Sequence, residues 1–454
     1  MIHTDISRIF KYASIGLIFV LIIGLGGWYI YLRTQTSSID AASSGRGFRA
    51  SIPTSSSLGS TFTNIISGFR RTPSEASENP PGISPQSFSS GISNFSEGVK
   101  TAFGNLISGL GSLVPGSASS TPIKQTPRLW QVQKSPVAGF RFIAATTTTL
   151  RFMERSSGYI FDVNPATGKT TRVTNTLIPK VYDARFARDG SPVIKTLEND
   201  VRTTYSATLA SSSNETLATL VLTPLGNNVA DAVPNATSRE LLSLIESENG
   251  SSIVRSGWNG SKPTTLFSSS LSGWRMYWTY DNKVYIAQKA ATGVPGNAYE
   301  LLGNGELVPL ARSVSGLTIV PKATSTALLI ASDAGVVSTL VRPNADTAFI
   351  ILPVKTIVDK CLWAPGNNLI AYCAVPSSIP SKQFLDEWYR GEIHTADSWW
   401  RVDASAGSAQ LLFSPARESG SSLDAETPRI DNSGTYIAFL DSHDKSLWIL
   451  RINE

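Results

Sequence analysis

The segment Trp363-Ala-Pro-Gly-Asn-Asn-Leu-Ile-Ala-Tyr372 places an apolar residue, a tight polar turn and a second apolar run next to one another. The same order recurs at 186–194 and at 430–439. Short apolar runs separated by turn residues, at intervals of about 8–12 positions, indicate an all-β fold. Runs rich in Val, Ile, Phe, Tyr and Trp continue from Thr126 onward, so we predict one β domain over residues 126–454.

These three segments resemble the repeat of WD-repeat-like and TolB-like β-propellers, in which a strand, a Gly-containing turn and a second strand begin each blade. The segment 158–174, GYIFDVNPATGKTTRVT, resembles the hairpin that follows in such a blade. The resemblance covers residues 127–454 and implies a bacterial-type β-propeller. It implies no particular function, because a fold of this kind hosts many unrelated activities.

The spacing of the repeats predicts the number of blades. Phe186 and Trp363 lie 177 positions apart, which fits four repeat steps of about 44 residues and therefore five blades, the first at Phe186 and the fifth at Trp363. With one blade before Phe186 and one at Ile430, we expect seven four-stranded blades, and six or eight stay open. Too few residues follow Ile430 for a complete blade, so we predict that the run at 128–134 pairs there and closes the ring.

The first 32 residues predict a membrane anchor. After a short segment 1–11, the 21 residues Tyr12–Leu32 carry no charge, and about 20 apolar residues span a bilayer as a helix. The alternative is a cleaved signal peptide, but its apolar core would be only about 7–15 residues long. We therefore predict a single-pass transmembrane helix whose partner is the lipid bilayer.

A polar linker is predicted to follow at 33–125, because residues 35–125 contain 23 Ser, 11 Gly and 7 Pro. Such a composition favours a flexible chain without a core. Apolar residues at helical spacing predict weak amphipathic helices at 58–69 and 88–113. These helices could lie on lipid or associate with one another, which leaves open a structural envelope protein that self-associates through the linker. The alternative is a transient helix within a disordered tether.

The two cysteines, Cys361 and Cys373, flank the turn in the 363–372 segment. If this segment is a hairpin, the two side chains face each other, and we predict a disulfide between them. The alternative is a pair of buried thiols. Disulfides persist mainly outside the cytosol, so we expect the C-terminal domain to be periplasmic or extracellular.

Composition argues against several classes of function. The net charge of +5 is spread over 454 residues, and nucleic-acid binding requires clustered Lys and Arg. Only three histidines are present, His3, His394 and His443, and no metal-site, nucleophile-elbow or phosphate-loop motif occurs. We therefore predict no nucleic-acid partner, no cofactor, no metal site and no catalytic residues.

An insertion at 376–400 is the best candidate for binding, because aromatic residues alternate there with charged ones. The alternative is structural, with these rings filling the core and fixing the insertion to its blade. The candidate binding residues are Phe384, Trp388, Tyr389, Arg390, His394 and Trp399.

Together these observations predict a membrane-anchored, extracytoplasmic β-propeller that acts as a non-catalytic binding or scaffold module. The expected partner is a protein, a peptide or a cell-envelope polymer. The alternative is a propeller enzyme that acts on a glycan or a lactone at the central channel.

Overall fold

The computed structural model describes residues 126–453, apart from 144, 212–215, 227, 236–238 and 324. The predicted membrane helix Tyr12–Leu32 and the predicted linker 33–125, with its helices at 58–69 and 88–113, lie outside the described residues. In the part of the chain that is described, no helix combines the length and the apolar character needed to cross a bilayer.

The strands form seven antiparallel four-stranded sheets, which confirms the predicted β-propeller and its seven blades. Six of the seven sheets use four consecutive strands, in sequence order from the innermost to the outermost. Blades 1 to 4 are β2 (Val137–Ile143), β3 (Thr149–Glu154), β4 (Ile160–Val163), β5 (Thr170–Arg172); β6 (Val181–Phe186), β7 (Pro192–Glu198), β8 (Val201–Ala210), β9 (Thr219–Gly226); β10 (Val229–Pro234), β11 (Glu240–Ser247), β12 (Gly250–Gly257), β13 (Thr264–Ser269); and β14 (Trp274–Trp278), β15 (Val284–Gln288), β16 (Pro295–Leu301), β17 (Leu307–Ser315).

The last three blades contain the remaining strands, with one exception to the sequence order in blade 7. Blades 5 to 7 are β18 (Thr318–Pro321), β19 (Leu328–Asp333), β20 (Val337–Arg342), β21 (Ile350–Ile351); β22 (Cys361–Trp363), β23 (Ile370–Pro376), β24 (Asp397–Asp403), β25 (Ser408–Phe413); and β26 (Ala425–Ile430), β27 (Tyr436–Asp441), β28 (Leu447–Arg451), β1 (Leu129–Gln133). Two helices, α1 (Phe384–Arg390) and α2 (Pro415–Glu418), and the 3-10 turn Val358–Lys360 complete the described elements.

The ring closes through β1, as the run at 128–134 predicts. Leu129 pairs with Leu450 and Trp130 with Ile449, so the first described strand becomes the outermost strand of the last blade. Arg128 extends this contact, since its side chain donates to the carbonyl oxygens of Arg451 and Leu412. Closure of this kind removes the open edge that an incomplete seventh blade would expose.

Apolar clusters between neighbouring blades hold the ring together. Seven such clusters occur among the described residues, one at each interface between adjacent blades. Between blades 1 and 2, for example, Met153 and Ile160 pack with Phe186 and Ile194. Side chains on successive strand positions point to opposite faces of a sheet, and each blade therefore buries both of its faces.

The repeated segments occupy equivalent places in the ring. In blades 2, 6 and 7 they form the innermost strand, the turn and the second strand. Gly190 and Gly434 occupy left-handed turn positions with φ of 82° and 71°, which only glycine adopts without strain. In blade 6, Cys361 and Cys373 are direct partners across the same hairpin, and a disulfide joins them.

Because every blade repeats the same strand order, the seven innermost strands surround the central channel and all run from the same end of it to the other. We name the end at which these strands begin the upper end, and the end at which they finish the lower end. The insertion 376–400, which joins β23 to β24, lies at the upper end. The turns that join each innermost strand to the second strand lie at the lower end.

Candidate functional site in the central channel

Charged side chains from the first two strands of blade 2 and the innermost strand of blade 3 form a network in the channel. Lys195 Nζ lies 2.5 Å from Asp231 Oδ1 and 3.0 Å from Asp183 Oδ2, and Arg185 Nη1 lies 3.0 Å from Asp231 Oδ2. Burial opposes ionisation of Asp231, but Arg185 and Lys195 outweigh it and hold the pKa of that carboxyl below its usual range. These two carboxylates are therefore neutralised from within the ring.

A second network joins the insertion to the channel at the upper end. Arg275 Nη1, from blade 4, lies 2.8 Å from Asp359 Oδ2, which precedes blade 6. The Tyr389 hydroxyl of α1 donates to the same carboxylate, and its ring lies 4.6 Å from the Arg275 guanidinium carbon. Burial first, and then Asp359, raise the pKa of Tyr389 well above its ordinary value, so its hydroxyl stays a proton donor.

At the lower end of the channel, the structure describes arginines that form no ion pair with a carboxylate. Among the described residues, Arg141, Arg188 and Arg429 form no ion pair: Arg141 Nη1 donates to the Phe186 carbonyl at 3.0 Å, and Arg188 Nη1 to the Tyr280 hydroxyl at 2.7 Å. Arg429 Nη1 donates to the carbonyl of Pro428 at 3.3 Å. We call Arg141, Arg188 and Arg429 the arginine cluster.

The arginine cluster is electrostatically unfavourable in the free protein. Arg429 is an exposed residue that the blades surround, and this enclosure, followed by the charges of Arg141 and Arg185, lowers its pKa to about 10. Burial and then the charge of Arg188 lower the pKa of Arg141, and the negative charge of Asp189 opposes this shift. A neighbouring acid, Asp189, is already bound to Arg239 at 2.7 Å.

An unusual backbone conformation lies next to Arg429. Thr427 has a φ of 50°, a region that β-branched residues rarely adopt. Strain of this kind costs about 1–3 kcal/mol and is concentrated at functional sites. The pairing of β26 with β27 is irregular between Glu426 and Arg429, so the strand departs from regular geometry where it carries Arg429.

The predicted binding residues of the insertion separate into two groups. Phe384, Trp388 and Trp399 are 0, 2 and 1% exposed, and a ligand cannot contact them without displacing the insertion. Phe384 and Trp388 pack with Val337 and Ile357 beneath α1, whereas Trp399 fills the interface between blades 6 and 7. This placement favours the structural alternative for these three rings.

The other three predicted residues keep contact with solvent. Tyr389 belongs to the upper network described above. Arg390 forms an exposed ion pair with Glu392, 2.7 Å away. His394 is 30% exposed at its side chain, and its Nδ1 donates to Asp424 Oδ2 at 3.2 Å. A binding role for these residues stays a prediction.

A buried ionic cluster fixes the insertion to the ring, and the sequence analysis missed it. Lys360 Nζ, which is fully buried, lies 2.6 Å from Asp397 Oδ2, 2.5 Å from Asp424 Oδ1 and 2.7 Å from Thr395 Oγ1. The indole nitrogen of Trp388 donates to Asp424 at 2.9 Å. Burial opposes ionisation of Asp424, but Lys360 and these hydrogen bonds hold its pKa below the usual range.

The polar groups around His394 do not form a hydrolytic triad. Ser442 Oγ lies 3.3 Å from His394 Nδ1, and Asp424 approaches the same nitrogen. A serine–histidine–acid triad requires the serine and the acid on different ring nitrogens. Across the described residues, no group of three or more His, Cys, Asp or Glu side chains is placed to hold a metal ion.

One signal in the sequence could have revealed part of the channel site. When the repeats are aligned, Arg185 precedes Phe186 and Arg429 precedes Ile430, so both arginines occupy the same repeat position. Arg141 and Arg188 offer no such signal, because their role depends on which blades become neighbours in the ring.

Comparisons with known proteins add no family. No family model matches the chain, and no curated protein matches it. The propeller domain of the trilobed protease from Pyrococcus furiosus is 10% identical, with 71% of this chain and 99% of that chain covered and a TM-score of 0.45. Virginiamycin B lyase from Staphylococcus aureus is 12% identical, with 72 and 99% covered and a TM-score of 0.47.

A third solved structure, YCF48 bound to a D1 peptide, is 11% identical, with 74% of this chain and all of that chain covered and a TM-score of 0.45. At such identities and scores these similarities support no conclusion about activity. The assignment to the β-propellers rests on the sheet topology described above.

Proposed function

We propose that this protein is a membrane-anchored, non-catalytic binding propeller that holds an acidic segment of a protein partner in its central channel. The observation that carries the proposal is the Arg429 guanidinium, which faces the channel without a carboxylate partner. Charge complementarity of this kind selects partners and speeds their association. The other channel carboxylates are already paired, so they do not cancel the positive field of the arginine cluster.

The rigid ring supports this function because it fixes the arginines before a ligand arrives. Each innermost strand is hydrogen-bonded into its sheet, and apolar clusters hold neighbouring blades together. Preorganised groups lose less entropy on binding than flexible ones. The predicted anchor Tyr12–Leu32 and linker 33–125 would keep the ring near the membrane, where tethering raises its effective concentration toward membrane-bound partners.

Direct binding of peptides to the full-length chain tests the proposal. A fluorescent peptide that alternates Glu with Gly is compared with a matched peptide that alternates Gln with Gly, by fluorescence anisotropy. We expect only the acidic peptide to bind, and we expect Arg429→Gln to weaken it about tenfold, the value of one charged hydrogen bond. Arg312→Gln is the control, because Arg312 is exposed on the outermost strand β17.

Two results would overturn the proposal: equal binding of both peptides, or binding that is unchanged by Arg429→Gln. The location is tested separately by adding protease to intact cells that express the chain. An extracytoplasmic propeller is digested from outside, whereas protection of the propeller until the cells are broken would contradict that part of the proposal. The Cys361–Cys373 disulfide supports an oxidising compartment.

A further inference from the structure

We propose that the arginine cluster is a subsite for a single oxyanion, borne by a carboxylate or a phosphate group. The inference rests on the proposed binding role of the channel and names the chemical group that the channel recognises. Three neighbouring blades supply the arginines: Arg429 comes from blade 7, Arg141 from blade 1 and Arg188 from the first turn of blade 2.

Each guanidinium is fixed by a neutral acceptor and retains donors for a ligand. Arginine carries five N–H donors in a rigid planar fork. Arg141 and Arg429 each use one on a backbone carbonyl, and Arg188 uses one on the Tyr280 hydroxyl. Arg188 also lies over the Tyr280 ring, with 5.3 Å between the guanidinium carbon and the ring centre. The remaining N–H groups match the geometry of carboxylate and phosphate oxygens.

Like charges repel one another at the arginine cluster. The positive charges of Arg141 and Arg185 both act on Arg429, and that of Arg188 acts on Arg141. Elsewhere in the channel, Asp183, Asp231 and Asp359 each have a cation within 3.0 Å. At the lower end, Asp189 acts on Arg141 but is itself bound to Arg239. An oxyanion at the cluster would supply the missing charge.

The small size of the arginine cluster favours a ligand with one anionic group over a long polyanion. Arg239, in the first turn of blade 3 at the lower end, is held by Asp189. Binding of an extended polyanion would require a continuous row of unneutralised cations. The cluster therefore suits a single side-chain carboxylate, a terminal carboxylate or a phosphoryl group.

The test uses the full-length chain in a neutral detergent, with inorganic phosphate and acetate as separate probes. Chloride is adjusted so that ionic strength stays constant, because screening alone would relieve repulsion between the arginines. Thermal unfolding is followed by tryptophan fluorescence. Since a ligand that binds only the folded state stabilises it, we expect at least one of the two anions to raise the unfolding temperature with saturation.

Variants separate a binding role from a structural one. Arg429→Gln should weaken the apparent affinity for that anion about tenfold, while leaving the unfolding temperature without anion unchanged or higher. Arg429→Lys keeps the charge but lacks the planar fork, so it should recover only part of the affinity. Arg141→Gln provides a second, independent variant, and Arg312→Gln should behave as the unmodified chain.

The two arms identify the source of the oxyanion. A response to acetate indicates carboxylate groups, and a response to phosphate alone indicates phosphoryl groups. Absence of a saturable response to either anion, or a response that Arg429→Gln leaves intact, would overturn the inference. If the acidic peptide still bound in that case, the proposed function would stand without this subsite. If the anions bound but the acidic peptide did not, the subsite would stand and the proposed function would fail.

Discussion

Replacing Lys360 by methionine tests the ionic cluster that fixes the insertion. Lys360→Met preserves most of the side-chain volume but removes the charge between Asp397 and Asp424, whose side chains are 2 and 0% exposed. Removing one partner from a buried ion pair destabilises a protein by about 3–5 kcal/mol, because the remaining charge is left uncompensated. Two carboxylates lose their cation here, so we expect the loss in unfolding free energy to lie at the upper end of that range.

The loss of stability caused by Lys360→Met should depend on pH. Burial already raises the pKa of Asp397 in the unmodified protein, and without Lys360 we expect burial to raise the pKa of Asp424 above its unfolded value as well. The folded variant then binds more protons than its unfolded chain, so its stability rises as the pH falls. In the unmodified protein, Lys360 holds the pKa of Asp424 below the usual range, and that carboxylate keeps stabilising the fold at mildly acidic pH. The gap in stability between the two proteins should therefore narrow from about pH 7 to pH 5.

Urea unfolding of the full-length chain, followed by tryptophan fluorescence at several pH values, measures the effect. Lys382→Met is the matched control, because Lys382 lies exposed on the same insertion. Adding Asp424→Asn to Lys360→Met should restore part of the stability, since it removes one of the unpaired charges. A loss below about 1 kcal/mol, the usual value of an exposed ion pair, or a gap that does not change with pH would refute the reasoning.

Three further predictions concern the ring itself. A Cβ at Gly139 would lie 1.8 Å from the carbonyl oxygen of Ala184, so Gly139→Ala should lower the unfolding free energy by at least about 1–3 kcal/mol. Urea unfolding measures this loss. Gly303→Ala is the control and should be nearly neutral, because there is open space around Gly303. Cys361 and Cys373 are 12 positions apart, so reduction of their disulfide should lower the unfolding free energy by about 3 kcal/mol on the chain-entropy model. Urea unfolding with and without a reductant measures this loss, and an unchanged unfolding free energy would contradict the prediction. Deletion of β1 together with everything before it should leave the edge of blade 7 open and cause aggregation visible by size-exclusion chromatography, while a monodisperse product would argue against closure by this strand.

Much of the fold was predictable because it depends on local repeats. The turn glycines Gly190 and Gly434 and the apolar runs beside them specify a hairpin within ten residues, and the spacing of the hairpins predicts the blades. Closure by the run at 128–134 followed from the incomplete last blade. These inferences need only short-range sequence patterns and a count of the residues between the repeats.

The site was less predictable, because its groups come from distant positions. Lys360 contacts Asp397 and Asp424, which lie 37 and 64 positions away in the sequence, and no local sequence pattern predicts these contacts. The insertion suggested exposed aromatics, yet Phe384 and Trp388 are four positions apart and lie on the same face of α1, which packs inward. A short helix on a loop requires such an apolar face, since helices of this length are unstable alone.

Pairing of β1 with β28 also determines when the ring can be completed. Arg128 and Arg451, which meet beside these strands, are 323 positions apart. Of the described strands, β1 is synthesised first and its partner β28 last. Blades 1 to 6 can form in the order of their translation, but the seventh sheet requires both ends of the domain. Until then, an unpaired strand beside an open ring is exposed to other chains, and this interval is where a chaperone would be most needed.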